Sequence, residues 1–315
     1  MQILEMRYGE LARADPIPSG VELHNRVPVP SDNLYRQRRH PLQPIELRAE
    51  KLTATLGAEI QGADFTGPIV PELEKAIREA LLEHQVLFFR NQDLTPDQHK
   101  AVGRCFGELH VHPVLPSRKE EGHPEIVILE SSPKAPFVAD RWHSDVTFER
   151  KPPLGSVLRG VIIPDQGGDT LFASMTAAYD ALSDSMQRLL SDLEAEHDGG
   201  LFKYLADSEQ RAELEKDQTT AHPLIRTHPE TGRKAIYVNP TFTKKIAGMK
   251  PAESDALLSF LYAHISLTEF SCRFRWRTNS MVIWDNRCTQ HRVVRDDVAA
   301  HRRVERVTVI GDEPF

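Results

Sequence analysis

Apolar positions follow two different periods along this chain from about residue 47 onward. Apolar side chains recur at helical spacing over residues 71–85 and 251–265. Thr95 followed by Pro96 is typical of a helix start, with threonine as the N-cap and proline in the first turn. Residues 174–197 also carry apolar side chains at helical spacing. The pattern therefore predicts one long helical region there.

Short apolar or alternating runs predict strands between and after these helices. They cover residues 57–62, 86–90, 125–130, 271–276, 280–285 and 303–310. Strands on both sides of a helical insert predict an α+β fold with one principal sheet system.

The first 45 residues have a different texture. Six prolines interrupt any periodic pattern in them. We predict an extended N-terminal arm over residues 1–45, followed by a single domain over residues 46–315.

Composition and charge exclude several classes of protein. Hydrophobic residues make up 40% and charged residues 27% of the 315 positions, which is typical of a globular protein. The net charge of −7 is spread along the chain, and no Lys/Arg-rich block indicates a nucleic acid partner. No apolar run reaches the roughly 20 residues that span a membrane. A homo-oligomer is left open.

Location in the cell is inferred from two features. The first ten residues carry acids where a signal peptide has basic and then apolar residues. The three cysteines, Cys105, Cys272 and Cys288, form no pairs at metal-ligand spacing. We therefore expect a reducing cytoplasm.

A candidate metal site combines two distant segments. His143 and Asp145 are two residues apart, so on a strand both side chains would point to the same face. His291 follows an apolar strand and could supply a third ligand. Two histidines and one carboxylate leave three positions open on an iron ion. By spacing alone, a hydrogen-bonded surface pair remains an equal alternative for His143 and Asp145.

Arginines interrupt the last apolar strand. On an alternating strand Arg302 and Arg306 share one face, while Arg303 and Glu305 share the other, which we expect to be solvated. An arginine that points into a barrel requires an anion, and its planar fork suits a carboxylate. Two such arginines predict two anionic ligands, a cosubstrate and a substrate.

Several motifs occur in order along most of the chain from about residue 47. They are Phe-Gly-Glu-Leu-His-Val-His-Pro at 106–113, Trp-His-Ser-Asp-Val-Thr-Phe at 142–148, Gly-Gly-Asp-Thr-Leu at 167–171, Trp-Asp-Asn-Arg-Cys-Thr-Gln-His at 284–291 and Arg-Val-Thr-Val-Ile-Gly-Asp at 306–312. With these motifs the chain resembles the taurine dioxygenase family of iron(II)- and 2-oxoglutarate-dependent oxygenases. The resemblance implies a double-stranded β-helix, a jelly roll of the cupin type, with decorating helices.

The resemblance also implies roles for residues at matching positions. His143, Asp145 and His291 would bind Fe(II). Thr170 and Arg302 would bind the far carboxylate of 2-oxoglutarate, with the neighbouring Arg303 as the alternative to Arg302. The cosubstrates would be 2-oxoglutarate and O₂, with succinate and CO₂ as products.

The substrate pocket implied by the resemblance departs from the taurine type. Arg306 and His112 match positions that bind a sulfonate, and Phe242 matches an aromatic wall. Leu115 and Ala139 replace a tyrosine and an asparagine, which removes polar groups near the amine end of taurine. We therefore expect a more apolar alkyl sulfonate, which would release sulfite and an aldehyde, or an alkyl sulfate ester. An aryloxyacetate is a further alternative.

Two other classes of protein could carry the same residues. A zinc-dependent hydrolase could use the same three ligands to activate water, but it would not need Thr170 and Arg302 together. A non-catalytic jelly-roll binding protein would have no use for an open metal site.

Overall fold

The structure is a computed structural model that describes residues 47–112, 119–134, 139–200, 219–296 and 300–315. The predicted arm at 1–45 and the candidate residue Leu115 lie outside these ranges. The domain division at residue 46 stays a prediction.

Five α-helices occur in the described residues, and three of them begin at a proline. They are α1 Pro71–His84, α2 Pro96–Arg104, α3 Met175–Asp180, α4 Asp184–Leu190 and α5 Pro251–Ile265. Proline is favoured in the first turn because a backbone N–H at that position has no intrahelical acceptor, so proline loses no hydrogen bond there. Helices α1 and α5 confirm the helical periods of the sequence, and α2 confirms the helix start at Thr95 and Pro96. None of the helices in the described ranges is long and apolar enough to cross a membrane.

Helix α2 begins with reciprocal capping hydrogen bonds. The Thr95 hydroxyl accepts from the Gln98 backbone N–H at 3.3 Å, and the Gln98 side chain accepts from the Thr95 N–H at 2.7 Å. We expect Thr95→Ala to lower the free energy of unfolding by about 1 kcal/mol, because the backbone N–H of Gln98 in the first turn loses its acceptor. Urea denaturation measures the change. Thr268→Ala is the control, since the hydroxyl of Thr268 contacts only the neighbouring exposed Glu269 among the hydrogen bonds described. Equal losses in both variants would contradict a capping role.

Sixteen strands run through the described residues. They are β1 Arg48–Lys51, β2 Ala58–Gln61, β3 Val86–Phe89, β4 Lys119–Glu120, β5 His123–Ser131, β6 Gly155–Ile162, β7 Thr170–Ser174, β8 Glu194–Asp198, β9 Thr219–Pro223, β10 Ile225–Thr227, β11 Lys234–Ile236, β12 Thr243–Ile246, β13 Ser271–Phe274, β14 Met281–Asp285, β15 Thr289–Val293 and β16 Arg302–Val309. Every strand predicted from the apolar and alternating runs is present, with bounds that differ by one or a few residues.

The strands form one large sheet and three small ones. The large sheet has eight strands in the order β1-β2-β3-β14-β6-β16-β5-β4, and β13-β7-β15 form a second sheet. All pairs are antiparallel except β2 with β3. Strands β12-β8-β9 and the pair β10-β11 form the remaining sheets.

The large sheet and the β13-β7-β15 sheet share an apolar core. Phe88 of β3 lies 4.4 Å from Phe274 of β13 and 5.8 Å from Phe172 of β7, measured between ring centroids. Trp284 of β14 contacts Phe172 at 5.7 Å. These side chains are buried, so the inner surfaces of the two sheets pack against each other. The result is an α+β fold with antiparallel sheets at its centre.

The predicted long helix at 174–197 is wrong. The segment forms α3 and α4 and then strand β8. Ser174 and Ser183 each accept a hydrogen bond from a backbone N–H three residues ahead, so each starts a new short helix. Strand β8 pairs with β9 and β12, which lie far along the chain. Local periodicity does not reveal such long-range pairing.

Candidate active site

Strand β15 places His291 beside His143. The two residues exchange backbone hydrogen bonds, from His143 N to His291 O at 3.1 Å and from His291 N to His143 O at 2.8 Å. The chain then turns through residues 145–148, with Val146 at a φ of 40°. The expectation that His143 and Asp145 share one regular strand is therefore wrong. A single bridge and a turn bring them together instead.

The donor atoms of His143, Asp145 and His291 all lie within 4.8 Å of one another. The Nδ1 of His143 donates to the Arg141 carbonyl at 2.9 Å, which leaves its Nε2 lone pair for a ligand. The Nε2 of His291 lies 4.0 Å from Asp145 Oδ1. Burial lowers the pKa of both imidazoles, to about 3 for His291, so both rings are neutral at pH 7.

Three side chains orient the carboxylate of Asp145. Ser156 and Asn286 donate to its Oδ2 at 3.0 and 3.3 Å, and Arg306 donates to its Oδ1 at 2.5 Å. Burial alone would raise the pKa of Asp145. The charge of Arg306 outweighs burial and holds that pKa well below its usual range. The carboxylate is therefore ionised and pre-oriented, as a metal ligand must be.

A second group of possible metal donors, His228, Asp285 and Cys288, is already satisfied. The carboxylate of Asp285 accepts from Arg287 at 2.9 and 2.7 Å and lies 3.0 Å from His228. Burial raises the pKa of the Cys288 thiol well above its usual value. This group is a structural ion network rather than a cation site.

One cavity of about 330 Å³ is lined by nine of the ten residues singled out from the sequence. They are His112, Ala139, His143, Asp145, Thr170, Phe242, His291, Arg302 and Arg306. The tenth, Leu115, lies outside the described ranges. Apolar side chains complete much of the wall, namely Leu129, Val146, Leu158, Phe172, Trp284, Val293 and Val304.

Strand β16 lies along this cavity with the expected phase, since Arg302, Val304 and Arg306 all line it. The opposite face is not solvated as predicted. Glu305 is 2% exposed, and its carboxylate accepts from Arg303 at 2.7 Å and from Arg159 at 2.6 Å. Two arginines therefore neutralise this buried acid. Arg303 points away from the cavity and already has its anion.

The loop that carries Phe242 is attached to the turn that carries Asp145. Asn239 accepts from the Phe242 backbone N–H at 2.8 Å and donates to Thr147 at 3.1 Å. The Phe242 ring lies 6.2 Å from the His143 ring and 5.5 Å from the Phe148 ring. Asn239 was not singled out from the sequence, because a lone asparagine before a Pro-Thr pair is typical of any turn.

Comparison with known proteins identifies the family of this chain. The sequence profile described as "Taurine catabolism dioxygenase TauD, TfdA family" matches residues 48–308. The chain is 36% identical to the alkylsulfatase of Acinetobacter baylyi, over 87% of each chain. It is 37% identical to the alpha-ketoglutarate-dependent sulfonate dioxygenase of Saccharomyces cerevisiae, over 85% of this chain and 68% of that protein.

A solved structure shows the same fold. The crystal structure of a taurine dioxygenase from Burkholderia xenovorans superposes with a TM-score of 0.75 and 38% identity, covering 85% of this chain and 91% of the other. The profile match extends over most of the chain, and both relatives exceed 30% identity over more than two thirds of it. The chain therefore belongs to the TauD, TfdA family and is a 2-oxoglutarate-dependent dioxygenase.

Proposed function

We propose that this enzyme uses Fe(II), 2-oxoglutarate and O₂ to hydroxylate a small alkyl sulfonate at the carbon that bears sulfur. One observation carries the proposal. A single cavity joins the His143, Asp145 and His291 group to two inward-facing arginines, Arg302 and Arg306. A metal, a dicarboxylate and a second anion each have a matching partner in it.

Two antiparallel sheets pack face to face around an apolar core, and the candidate metal ligands lie at the cavity between them. We infer from this arrangement and from the family that the sheets form a double-stranded β-helix of the cupin type.

Two neutral imidazoles and one ionised carboxylate fit a divalent metal of intermediate softness. His143, Asp145 and His291 would hold Fe(II) and leave positions for other ligands. When bound, the iron would let O₂ react with 2-oxoglutarate, which is oxidised and decarboxylated to succinate and CO₂. Membership of a dioxygenase family favours this chemistry over zinc-dependent hydrolysis.

Arg302 is the better partner for the far carboxylate of 2-oxoglutarate. Its Nε is buried and has no hydrogen-bond partner among the described residues. Burial lowers the pKa of Arg302 to about 10, which leaves it charged at pH 7. Arg303 already forms an ion pair with Glu305. A carboxylate that reaches Arg302 would therefore gain a charge-assisted hydrogen bond without displacing another acid.

Arg306 would bind the substrate anion close to the metal ligands. Its Nη1 donates to Asp145, while its Nε is buried without a partner among the described residues. His112 and Phe242 line the same cavity. An anion held by Arg306 would place the adjacent carbon beside the iron site, so positioning selects which C–H bond reacts.

The proposed reaction has two steps, hydroxylation of the substrate and then cleavage of its C–S bond. One oxygen atom of O₂ enters succinate and the other enters the substrate as a hydroxyl group on the carbon next to sulfur. The hydroxyl then loses its proton, a C=O bond forms, and the C–S bond breaks with its electron pair on sulfur. The products are an aldehyde and sulfite.

An alkyl sulfate ester is the second candidate substrate. The relative from Acinetobacter baylyi is named an alkylsulfatase. The cavity wall is largely apolar, and Ala139 adds no polar side chain to it. Hydroxylation of the carbon next to the ester oxygen would release sulfate instead of sulfite.

A substrate panel tests the proposed function. It compares taurine, pentanesulfonate, pentyl sulfate and an aryloxyacetate under Fe(II), 2-oxoglutarate and air. We expect substrate-stimulated succinate formation, with sulfite released in equal amount from pentanesulfonate and faster turnover than with taurine. Release of the anion without 2-oxoglutarate or O₂ would indicate a hydrolase. No stimulation by any member of the panel would contradict the proposal.

The Arg306 anchor makes a separate prediction. We expect Arg306→Gln to raise the KM for the sulfonate roughly 10- to 100-fold, because a charge-assisted hydrogen bond is lost, and to change the KM for 2-oxoglutarate much less. Steady-state kinetics in both substrates measures the two values, and iron content is measured in parallel because Arg306 contacts Asp145. Arg292→Gln is the control, since Arg292 lies over Trp142 instead of lining the cavity. An unchanged sulfonate KM would remove Arg306 as the anchor.

A further inference from the structure

We propose that Trp276 is a positioning residue for the far carboxylate of 2-oxoglutarate, acting through Thr170 and Arg302. The inference rests on the proposed function of those two residues. The indole N–H of Trp276 contacts Thr170, and the face of its ring contacts Arg302.

Packing fixes the orientation of Trp276. The side chain is 4% exposed and follows strand β13 at the edge of the core between the sheets. The Phe274 ring meets it edge-on, with 5.1 Å between the centroids. Gly160 of β6 lies so close that an added Cβ would be 3.2 Å from the indole Cε3. The indole N–H therefore has a set direction.

This direction determines what the Thr170 hydroxyl can do. Trp276 Nε1 lies 2.9 Å from Thr170 Oγ1. An indole N–H can only donate, so the hydroxyl oxygen must accept this bond. The hydroxyl hydrogen is then available for another acceptor. Because Thr170 lines the cavity, a carboxylate oxygen of 2-oxoglutarate would receive it.

The ring face of Trp276 also makes a cation–π contact with Arg302. The Arg302 Cζ lies 5.6 Å from the indole ring centroid, within the range of a cation–π contact. The nearby acid Asp169 is occupied by Arg273, with 2.7 Å between Arg273 Nε and Asp169 Oδ2. The guanidinium is thus attracted to a neutral ring rather than neutralised by an acid. Its charge remains for the incoming carboxylate.

Trp276→Phe tests the inference because it keeps an aromatic ring and removes the N–H donor. We expect the KM for 2-oxoglutarate to rise roughly 5- to 10-fold, as for the loss of one hydrogen bond, while kcat and the sulfonate KM stay within about twofold. A double-mutant cycle with Thr170→Val tests whether Trp276 acts through the Thr170 hydroxyl. If Trp276 acts through the threonine hydroxyl, Trp276→Phe has little further effect in the Thr170→Val background.

Benzothienylalanine at position 276 is the second variant, since sulfur replaces the N–H with almost no change in shape. It should reproduce the rise in the KM for 2-oxoglutarate without loss of thermal stability. A stability loss with an unchanged KM, or full additivity with Thr170→Val, would overturn the positioning role. If Thr170→Val alone leaves the KM for 2-oxoglutarate unchanged, the proposed carboxylate site itself is wrong.

Discussion

Replacing His143, Asp145 or His291 with alanine is expected to abolish iron-dependent succinate formation. Each residue would supply one of three protein ligands, and the three donor atoms lie within 4.8 Å of one another. Loss of a residue that only supports a ligand weakens metal binding about 10- to 100-fold, so loss of a ligand should exceed roughly 100-fold. The remaining two donors would not hold the ion in place.

Anaerobic titration with Fe(II) measures the binding loss directly, and the succinate assay measures its consequence. His264→Ala is the matched control, because that ring contacts the Ala178 carbonyl at 2.7 Å and does not line the cavity. It should bind iron as the wild type does. Full iron binding and full activity in any one of the three ligand variants would remove that residue from the site.

Arg302→Ala is expected to raise the KM for 2-oxoglutarate roughly 10- to 100-fold, the cost of a lost hydrogen bond to a charged group. Arg303→Ala is the matched control from the next position on the same strand. Its guanidinium faces Glu305, with 2.7 Å between the charged atoms, so its loss should change protein stability more than the KM. Steady-state kinetics over a 2-oxoglutarate series measures both variants. The opposite ranking would show that Arg303 binds the cosubstrate.

Local periodicity predicts much of this fold. The helices over Pro71–His84 and Pro251–Ile265 were expected within one residue at either end, because each has a proline start and a continuous apolar stripe. The strand pattern fails where partners are distant. The predicted helix at 174–197 included most of β8, yet these residues form a strand because β9 and β12 supply hydrogen bonds that no local pattern reveals.

The candidate site was predictable in its residue types but not in its geometry. His143 and Asp145 were expected to alternate along a strand, whereas a turn with Val146 at positive φ brings the carboxylate into place. Arg302 and Arg306 were correctly expected on one face of β16, because residues four positions apart on a regular strand point to the same side. The burial of Glu305 was missed, since its pairing with Arg159 joins residues 146 positions apart.

Trp276 illustrates the same limit. In the sequence it is only the last residue of an alternating, strand-like run over residues 271–276. Its hydrogen bond to Thr170 connects residues 106 positions apart, and only folding brings the two side chains together. Residues that support a site through such contacts have no spacing rule that would identify them in advance.

An anaerobic titration of the wild-type protein with Fe(II) and then 2-oxoglutarate, followed by visible absorption, tests the proposed metal and cosubstrate site most directly. We expect one iron per chain and a weak metal-to-ligand charge-transfer band that saturates at one equivalent of 2-oxoglutarate and is absent in His291→Ala. Tight binding of 2-oxoglutarate with no such band, or an equally strong band in His291→Ala, would contradict the proposed site.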